Sequence, residues 1–335
     1  MEASARTAAV ERIQDLPSVT RPGDTGYMMH VRGRTREVVR EMRPLKGILV
    51  IVAGAVQSGP VQACTSFVDY SSGSAWYGMN FDWHPETEIL FRIQDDIEGS
   101  RCFTMSFDTP DGPVPTVGMT ADGRFSTLQV TDAPWTGPPP DSGNSYIFWP
   151  FYALVYRGAD MDDISELVAS DTFVQYWDPP LHVMAADATG EAMIIEVGES
   201  GNEVLERTTE PFIVMTNFMC CAWRNASPAL VRGCGADRYR AAWAVLRAGG
   251  VSGPGEGLDV LRAALSTSAD FPTRASMVFD PSTGTVYIAP AGRFDRAWEL
   301  DIASGRLAAW PEAPAAGELT MDSAGVTVTE LLSGY

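Results

Sequence analysis

"VQACTSFVDYSSGSAWYGMNFDW", residues Val61 to Trp83, is the stretch on which the reading of this chain turns. Two β-prone runs, "CTSFVDY" and "AWYGMNFDW", flank the turn-forming "SSGS" and predict a hairpin that begins at Cys64. Just before it stand Val61 and Ala63, small residues at the two positions a leader peptidase reads. Either Cys64 is a packing residue at a strand start, or the chain is cut in front of it and its α-amine is freed beside its thiol.

The residues upstream favour the cut. "GILVIVAGAV", Gly47 to Val56, is an apolar run too short to span a bilayer comfortably and of the length of a signal-peptide core. Met42, Arg43 and Lys46 give it a basic start. The expected organisation is therefore a leader over 1–63, signal-peptide-like from 42 to 63. Residues 1–41 are an unfolded extension or a mis-assigned start. A single domain follows over 64–335. A buried strand at 47–56 is the bland alternative. A lipid-anchored Cys64 ranks lower, because Gln62 stands where a lipoprotein site needs a small residue.

The chain has 335 residues, 45% of them hydrophobic, and a net charge of −19, enough for a sizeable core. The first 63 residues carry nine Arg/Lys against six Asp/Glu, which leaves 15 basic and 37 acidic residues, a net of −22, for residues 64–335. A surface so acidic repels phosphate backbones, so nucleic acid is excluded as a partner. The mature form is expected to be exported, periplasmic or extracellular, with no membrane attachment. Homo-oligomerisation stays open.

Five cysteines (Cys64, Cys102, Cys220, Cys221, Cys234) and three histidines (His30, His84, His182) are present. No HExxH spacing occurs, and the adjacent Cys220 and Cys221 lack a CxxC partner, so no metal site and no cofactor is expected. A disulfide from Cys234 to Cys220 or Cys221 is conceivable after export, and the sequence does not fix the pairing. Neither His84 nor His182 stands in a recognisable dyad.

Past the first hairpin, "RCFTMSFD" reads as a strand, and "DGPVPTVGMTADGRFSTLQVTD" as two strands about the Asp122-Gly123 turn. "APWTGPPPDSGNS" is a loop, and "YIFWPFYALVYRG" and "MDDISELVASD" are helical. "LHVMAADATGEAMIIEVGESGNEVLER" holds two alternating runs about Ala188-Thr189-Gly190, a further hairpin. "FIVMTNF" reads as a buried strand. "DRYRAAWAVLRAGG", with Ala242, Val245 and Leu246 on one face, and "GLDVLRAALSTS" are helices joined by the Gly-rich "GGVSGPGEG" loop. "RASMVFDPSTGTVYIAP" is a last hairpin turning at Pro281 to Gly284, followed by β-prone pieces near Trp310 and over 326–332. Hairpins, helices, then hairpins again predict antiparallel sheets with helices packed outside them, an α+β fold.

If the chain is cut at Cys64, that residue carries an amine titrating near about 8 and a thiol near about 8.5. The ammonium favours the thiolate, and the neutral amine accepts the thiol proton. One residue then supplies nucleophile and base, with no histidine needed.

"CTSF" followed by Gly78, Asn80 and Asp82 in "YGMNFDW" resembles the opening of the choloylglycine hydrolase and penicillin V acylase family of N-terminal nucleophile hydrolases. "PLHVMAADATGEAMIIE" is similar to that family's central hairpin, "VMTNF" to its Thr-Asn segment and "DRYRAAW" to its Arg-bearing helix start, so the resemblance runs over most of residues 64–310. It implies a four-layer αββα sandwich and linear-amide hydrolysis without metal or cofactor. It also implies a small-molecule N-acyl amide substrate such as penicillin V, a conjugated bile salt or an N-acyl homoserine lactone. By the same resemblance Cys64 is the nucleophile, Asp82 the carboxylate that holds it, and Asn217 an oxyanion-hole amide. Arg238 is the arginine that orients the nucleophile region, and Gln129 lies on the strand that brings the second oxyanion donor. One position departs: Met79 stands in a slot often held by arginine, which removes a grip on polar or anionic substrates and leans towards an apolar acyl group. An isopenicillin N-type acyltransferase shares the nucleophile and stays open as an alternative. So does an exported non-catalytic binding or anchored protein. The aromatics Trp76, Tyr77, Phe81, Trp83, Trp135, Phe148 and Trp149 are core first, with some free to line an acyl pocket.

Overall fold

A computed structural model describes residues 64–334 except 110–111, 135–144, 176–178, 200, 208 and 312–317. The leader, Trp135 and most of the Pro/Gly loop lie outside the described residues.

The first half of the domain is built from hairpins. In chain order its strands are β1 (Thr65–Asp69), β2 (Trp76–Asp82), β3 (Ile89–Asp95), β4 (Arg101–Phe107), β5 (Val114–Thr120) and β6 (Phe125–Val130). After the short β7 (Ser145–Tyr146) come α1 (Trp149–Tyr156), α2 (Met161–Ser170) and the short β8 (Phe173–Val174). Then follow β9 (Leu181–Ala186), β10 (Ala192–Gly198), β11 (Gly201–Glu206) and β12 (Phe212–Met215). Two more helices, α3 (Ala236–Gly249) and α4 (Pro254–Ala263), precede β13 (Thr273–Asp280), β14 (Thr285–Pro290), β15 (Ala297–Asp301), β16 (Arg306–Trp310), β17 (Leu319–Thr320) and β18 (Val326–Thr327), and α5 (Val328–Ser333) closes the series.

The long strands form two eight-stranded sheets in which every pairing is antiparallel. One runs β12-β1-β2-β13-β14-β15-β16-β17, the other β11-β10-β9-β6-β5-β4-β3-β18. Side chains alternate across each strand, and both faces of each sheet are covered. Val68, Tyr77, Met79 and Phe81 of the first sheet meet Phe103, Phe125, Met184 and Ile194 of the second in the layer between them. On the outer face of the first sheet, Phe67, Trp76 and Val214 pack against Ala242 and Leu246 of α3 and Leu258 and Leu261 of α4. On the outer face of the second, Leu128, Val183 and Ile195 pack against Phe151 and Leu154 of α1 and Ile164 of α2. The order of layers is αββα, as expected.

Local chemistry sets the helix ends. α2 starts at a reciprocal cap in which the Asp160 side chain accepts from Asp163 N (2.9 Å) and the Asp163 side chain accepts from Asp160 N (3.2 Å). α4 starts at Pro254, earlier than expected: "PGEG" is its first turn rather than loop, because proline at the first helical position surrenders an N–H that has no partner there anyway. The β-prone end of the chain also reads differently. Only Val326–Thr327 is strand. Thr327 then caps α5 through Glu330 N (3.2 Å), while the Glu330 carboxylate returns to Thr327 N (2.8 Å). β3 and β15 were not among the expected strands. β3 was legible, since Ile89, Phe91 and Ile93 alternate as buried residues.

Candidate active site

Cys64 immediately precedes β1, and strand pairing decides its neighbours. β1 pairs with β12 through Ser66 opposite Met215 and with β2 through Thr65 opposite Asn80. Continuing those registers places Cys64 between Asn217 on one side and Phe81 on the other. The thiol is only 4% exposed, and its Sγ lies 3.9 Å from the carbonyl oxygen of Asp82. Burial first, then the nearby Asp82 charge, push the thiol far above its usual range, while the Asp82 hydrogen bond and Arg238 pull the other way.

Asp82, at the end of β2, points to the helical side. Its Oδ2 meets Arg238 Nη1 at 3.0 Å, and its Oδ1 accepts the Thr273 hydroxyl at 2.5 Å. Arg238 comes from the first turn of α3, whose entry is set by Gly235 at φ 77. That left-handed backbone favours glycine, and a Cβ there would lie 3.0 Å from the guanidinium. Burial raises the Asp82 carboxyl to about 7 against the pull of Thr273 and Arg238. Thr273 was absent from the expected site; the register that brings it to Asp82, on the far side of β2 from β1, was not legible locally.

Asn217 follows β12 and is fully buried. Its side-chain Nδ2 donates to Val130 O at 2.6 Å, and its main-chain O accepts from Asp132 N at 2.6 Å. The carboxamide thus spans from one sheet to the end of β6 in the other. A primary amide has two N–H bonds, so the bond to Val130 leaves a second donor.

Gln129 is placed otherwise. It sits inside the layer between the sheets and donates to the hydroxyl of Ser66, two residues along β1 from Cys64. In the second sheet its strand neighbour is His182. His182 Nδ1 lies 2.9 Å from Glu196 Oε1, and the same carboxylate accepts from Cys220 N (2.7 Å) and Cys221 N (2.9 Å). The His182–Glu196 pair is the dyad that the sequence reading did not find. Its signal was available: a hairpin turning at 188–190 brings residues 182 and 196 opposite one another on one face.

Buried side-chain atoms without a hydrogen-bond partner include Thr65 Oγ1, Gln129 Oε1, Thr131 Oγ1, His182 Nε2, Thr216 Oγ1 and Asn217 Oδ1.

His182, Glu196 and Cys220 also bring nitrogen, oxygen and sulfur atoms within 4.8 Å of one another. The carboxylate already takes two peptide N–H groups and the imidazole, and burial foremost holds the Cys220 thiol well above its usual range. The Glu196 carboxylate is thus the hub of a hydrogen-bond network that joins β9, β10 and the turn at Cys220. None of the five cysteines is in a disulfide, so the conceivable Cys234 disulfide is not formed. Cys234 lies beside Arg238, its thiol raised chiefly by burial.

Two parts of the "G-x-N-x-D" segment serve packing. A Cβ at Gly78 would come within 2.1 Å of the Phe67 ring. Asn80 Nδ2 donates to Leu261 O (2.8 Å) and Ala264 O (3.1 Å) at the end of α4, and its Oδ1 accepts from Ser276 (2.7 Å). Met79 is wholly buried between the sheets, its sulfur 3.3 Å from Thr127 Oγ1.

Comparison of the sequence with protein-family models gives no match, and comparison with curated proteins gives none either. Comparison of the fold with solved structures does. One variant of a conjugated bile acid hydrolase from Clostridium perfringens overlays with a TM-score of 0.55 at 14% identity, covering 72% of this chain and 93% of that one. A second variant of the same hydrolase gives 0.53 at 13% identity, covering 75% and 97%. A penicillin V acylase from Agrobacterium tumefaciens gives 0.48 at 16% identity, covering 71% and 91%. Two eight-stranded antiparallel sheets stacked between helical layers, matched over nearly the whole length of the bile acid hydrolase, give this chain the N-terminal nucleophile hydrolase fold.

Proposed function

We propose that the chain is an exported cysteine amidase of the N-terminal nucleophile type, hydrolysing a linear C–N bond in a small N-acyl amide after removal of the leader in front of Cys64. The observation that carries this reading is the position of Cys64. It stands at the mouth of a hairpin, beside Asn217 on one strand and above the Asp82–Arg238 pair on another. In the uncut chain its thiol is held protonated by burial. Cleavage between Ala63 and Cys64 supplies what that environment lacks, an amine that takes the thiol proton.

The thiolate attacks the acyl carbonyl, and charge develops on the carbonyl oxygen. The spare N–H of Asn217 stabilises it in a site shut off from water. The protonated amine gives its proton to the departing amine, leaving an acyl-cysteine. Water, deprotonated by the same amine, then cleaves the thioester and restores the thiol. Asp82 and Arg238 hold the amine and thiol in register. Gln129, bonded to Ser66, supports β1 from the opposite sheet. Met79 in place of an arginine favours an apolar acyl group, as in penicillin V or the steroid side of a bile salt, over a charged one.

The test is the intact mass of the secreted protein together with turnover on a panel of N-acyl amides. An unmodified N-terminal Cys64, with hydrolysis abolished in Cys64→Ser, is the expected result. A lipidated or uncut terminus, or hydrolysis retained in Cys64→Ser, removes the reading. Acyl transfer to an added amine in preference to water would turn it towards an acyltransferase.

A further inference from the structure

Glu196 has no place in the chemistry just described, yet it is a wholly buried carboxylate that meets two peptide N–H groups and an imidazole. A buried charge is a poor way to stabilise a core, since an apolar residue of the same volume does as well or better. What it can do is specify one arrangement of the groups around it. Its two oxygens accept the first two peptide N–H groups of the 3-10 turn Cys220–Trp223. That turn begins three residues beyond Asn217. The near end of the same segment is tied at Asn217 itself, by Asp132 N to Asn217 O and by Asn217 Nδ2 to Val130 O. A segment that leaves the first sheet is thus fastened at both ends to the second sheet, by β6 at one end and β10 at the other.

His182 completes the fastening. Its Nδ1 lies 2.9 Å from Glu196 Oε1. The two peptide donors and the imidazole draw the carboxyl below its usual range against the opposing effect of burial, the largest single influence on it, so the carboxylate stays an acceptor. The ring nitrogen facing an acceptor-only carboxylate is the donor of this bond.

We infer that Glu196 and His182 are positioning residues that hold the segment over residues 216–221, and with it the Asn217 carboxamide, at the distance from Cys64 that the reaction needs. This rests on the amidase reading for its consequence, though not for its geometry. Neither residue touches the reacting atoms. Their effect is on where the donor sits, and a displacement of about 1 Å can cost about 10²-fold in rate.

Three variants read it. Glu196→Gln keeps the volume but turns an amide N–H towards a peptide N–H. His182→Phe removes the donor to Glu196, and His182→Asn restores a donor at nearly the same place. Turnover is counted per reactive Cys64, quantified by alkylation and mass spectrometry. The expected result is a kcat about 10- to 100-fold lower in Glu196→Gln and His182→Phe. KM stays within about threefold, and His182→Asn recovers to within about threefold of the parent. Hydrogen exchange of the peptide over 216–221 rises in the first two and not in the third. A purely packing role would lower the yield of folded protein and leave kcat per Cys64 unchanged, and that result overturns the inference. Exchange over 216–221 that does not change in Glu196→Gln overturns it as well, even if the chain hydrolyses no amide at all. Absence of hydrolysis in the parent with exchange altered as expected would instead sink the amidase reading and leave the clamp standing.

Discussion

The β1–β2 hairpin presents two different chemistries on its two faces. On the helical side, Asp82 lies between a guanidinium and a hydroxyl, and Asn80 closes the end of α4. On the side between the sheets stand Ser66, Met79 and Phe81, facing the carboxamide of Gln129 and the hydroxyl of Thr127. Strand alternation keeps the two apart. Cys64, at the end of β1, is where they meet. The charged Asp82 side and the neutral amide side, to which the proposed mechanism gives different roles, can therefore be altered separately.

Asn217 is the sharpest place to break the neutral side. Asn217→Ala removes the proposed oxyanion donor and the tie to Val130. The expected loss is about 10²–10³ in kcat, with Cys64 still open to alkylation at its normal rate. A kcat unchanged from the parent would take Asn217 out of the chemistry.

On the charged side the clearest handle is pH. The Asp82 carboxyl has its ordinary pKa near 3.8 unfolded and is raised to about 7 when folded. Below about pH 4 both states hold the proton. Between about 4 and 7 the unfolded chain has released it and the folded chain has not, so the Asp82 contribution to stability is lost as pH rises through that window. Asp82→Asn mimics the protonated form. In the uncut chain it should melt at the parent's temperature near pH 4 and above it, by at least a few degrees, near pH 8, while its mature form loses activity. In the cut chain the new ammonium favours the ionised carboxylate, so the gap should narrow. A variant melting below the parent at pH 8 would show that the Arg238 pair outweighs burial.

Much of this was written in the sequence, and the reasons differ by residue. Cys64, Asp82, Asn217 and Arg238 were singled out because each lies in a short segment with a chemical signature of its own, and the structure sets Cys64 beside the ends of β2 and β12 and Arg238, from α3, against Asp82. Gln129 was legible as a strand residue, but which side chain it meets depends on the stacking of the two sheets, and it meets Ser66. Thr273 and Val130 contribute through register and a main-chain carbonyl, which leave no mark on residue type. The early start of α4 and the helix at 328–333 were masked by composition, glycine in one case and β-branched residues in the other, until capping decided them.

Asn80 separates packing from chemistry within the same motif. It satisfies two carbonyls at the end of α4 and one hydroxyl. Leu261 O keeps its bond from Ala264 N, but Asn80→Ala removes the side-chain partner of Ala264 O and of the Ser276 hydroxyl, at about 1–3 kcal/mol for each that finds no water. Chemical denaturation should show a loss of about 2–4 kcal/mol, with kcat per reactive Cys64 unchanged. A fall in kcat to match would mean that the outer face feeds the reaction through more than Asp82.

The smallest effect is expected at Met79, and it bears on the substrate. Met79 is wholly buried between the sheets, with the Thr127 hydroxyl against its sulfur. Leucine conserves the volume within about a methylene and should cost less than about 1.5 kcal/mol. With no charge at this position to grip a polar group, an apolar acyl chain should see little difference, so kcat/KM for a hydrophobic N-acyl amide should shift by less than about threefold. Met79→Arg is the informative contrast. It places a guanidinium in an apolar layer, where an unpaired charge is strongly disfavoured, and an anionic substrate is the one ligand that could answer it. Rescue of the melting temperature of Met79→Arg by an anionic N-acyl amide, without effect on the parent, is the expected sign that this slot faces the substrate. Equal insensitivity of both proteins to that ligand would make Met79 a packing residue of the sandwich alone.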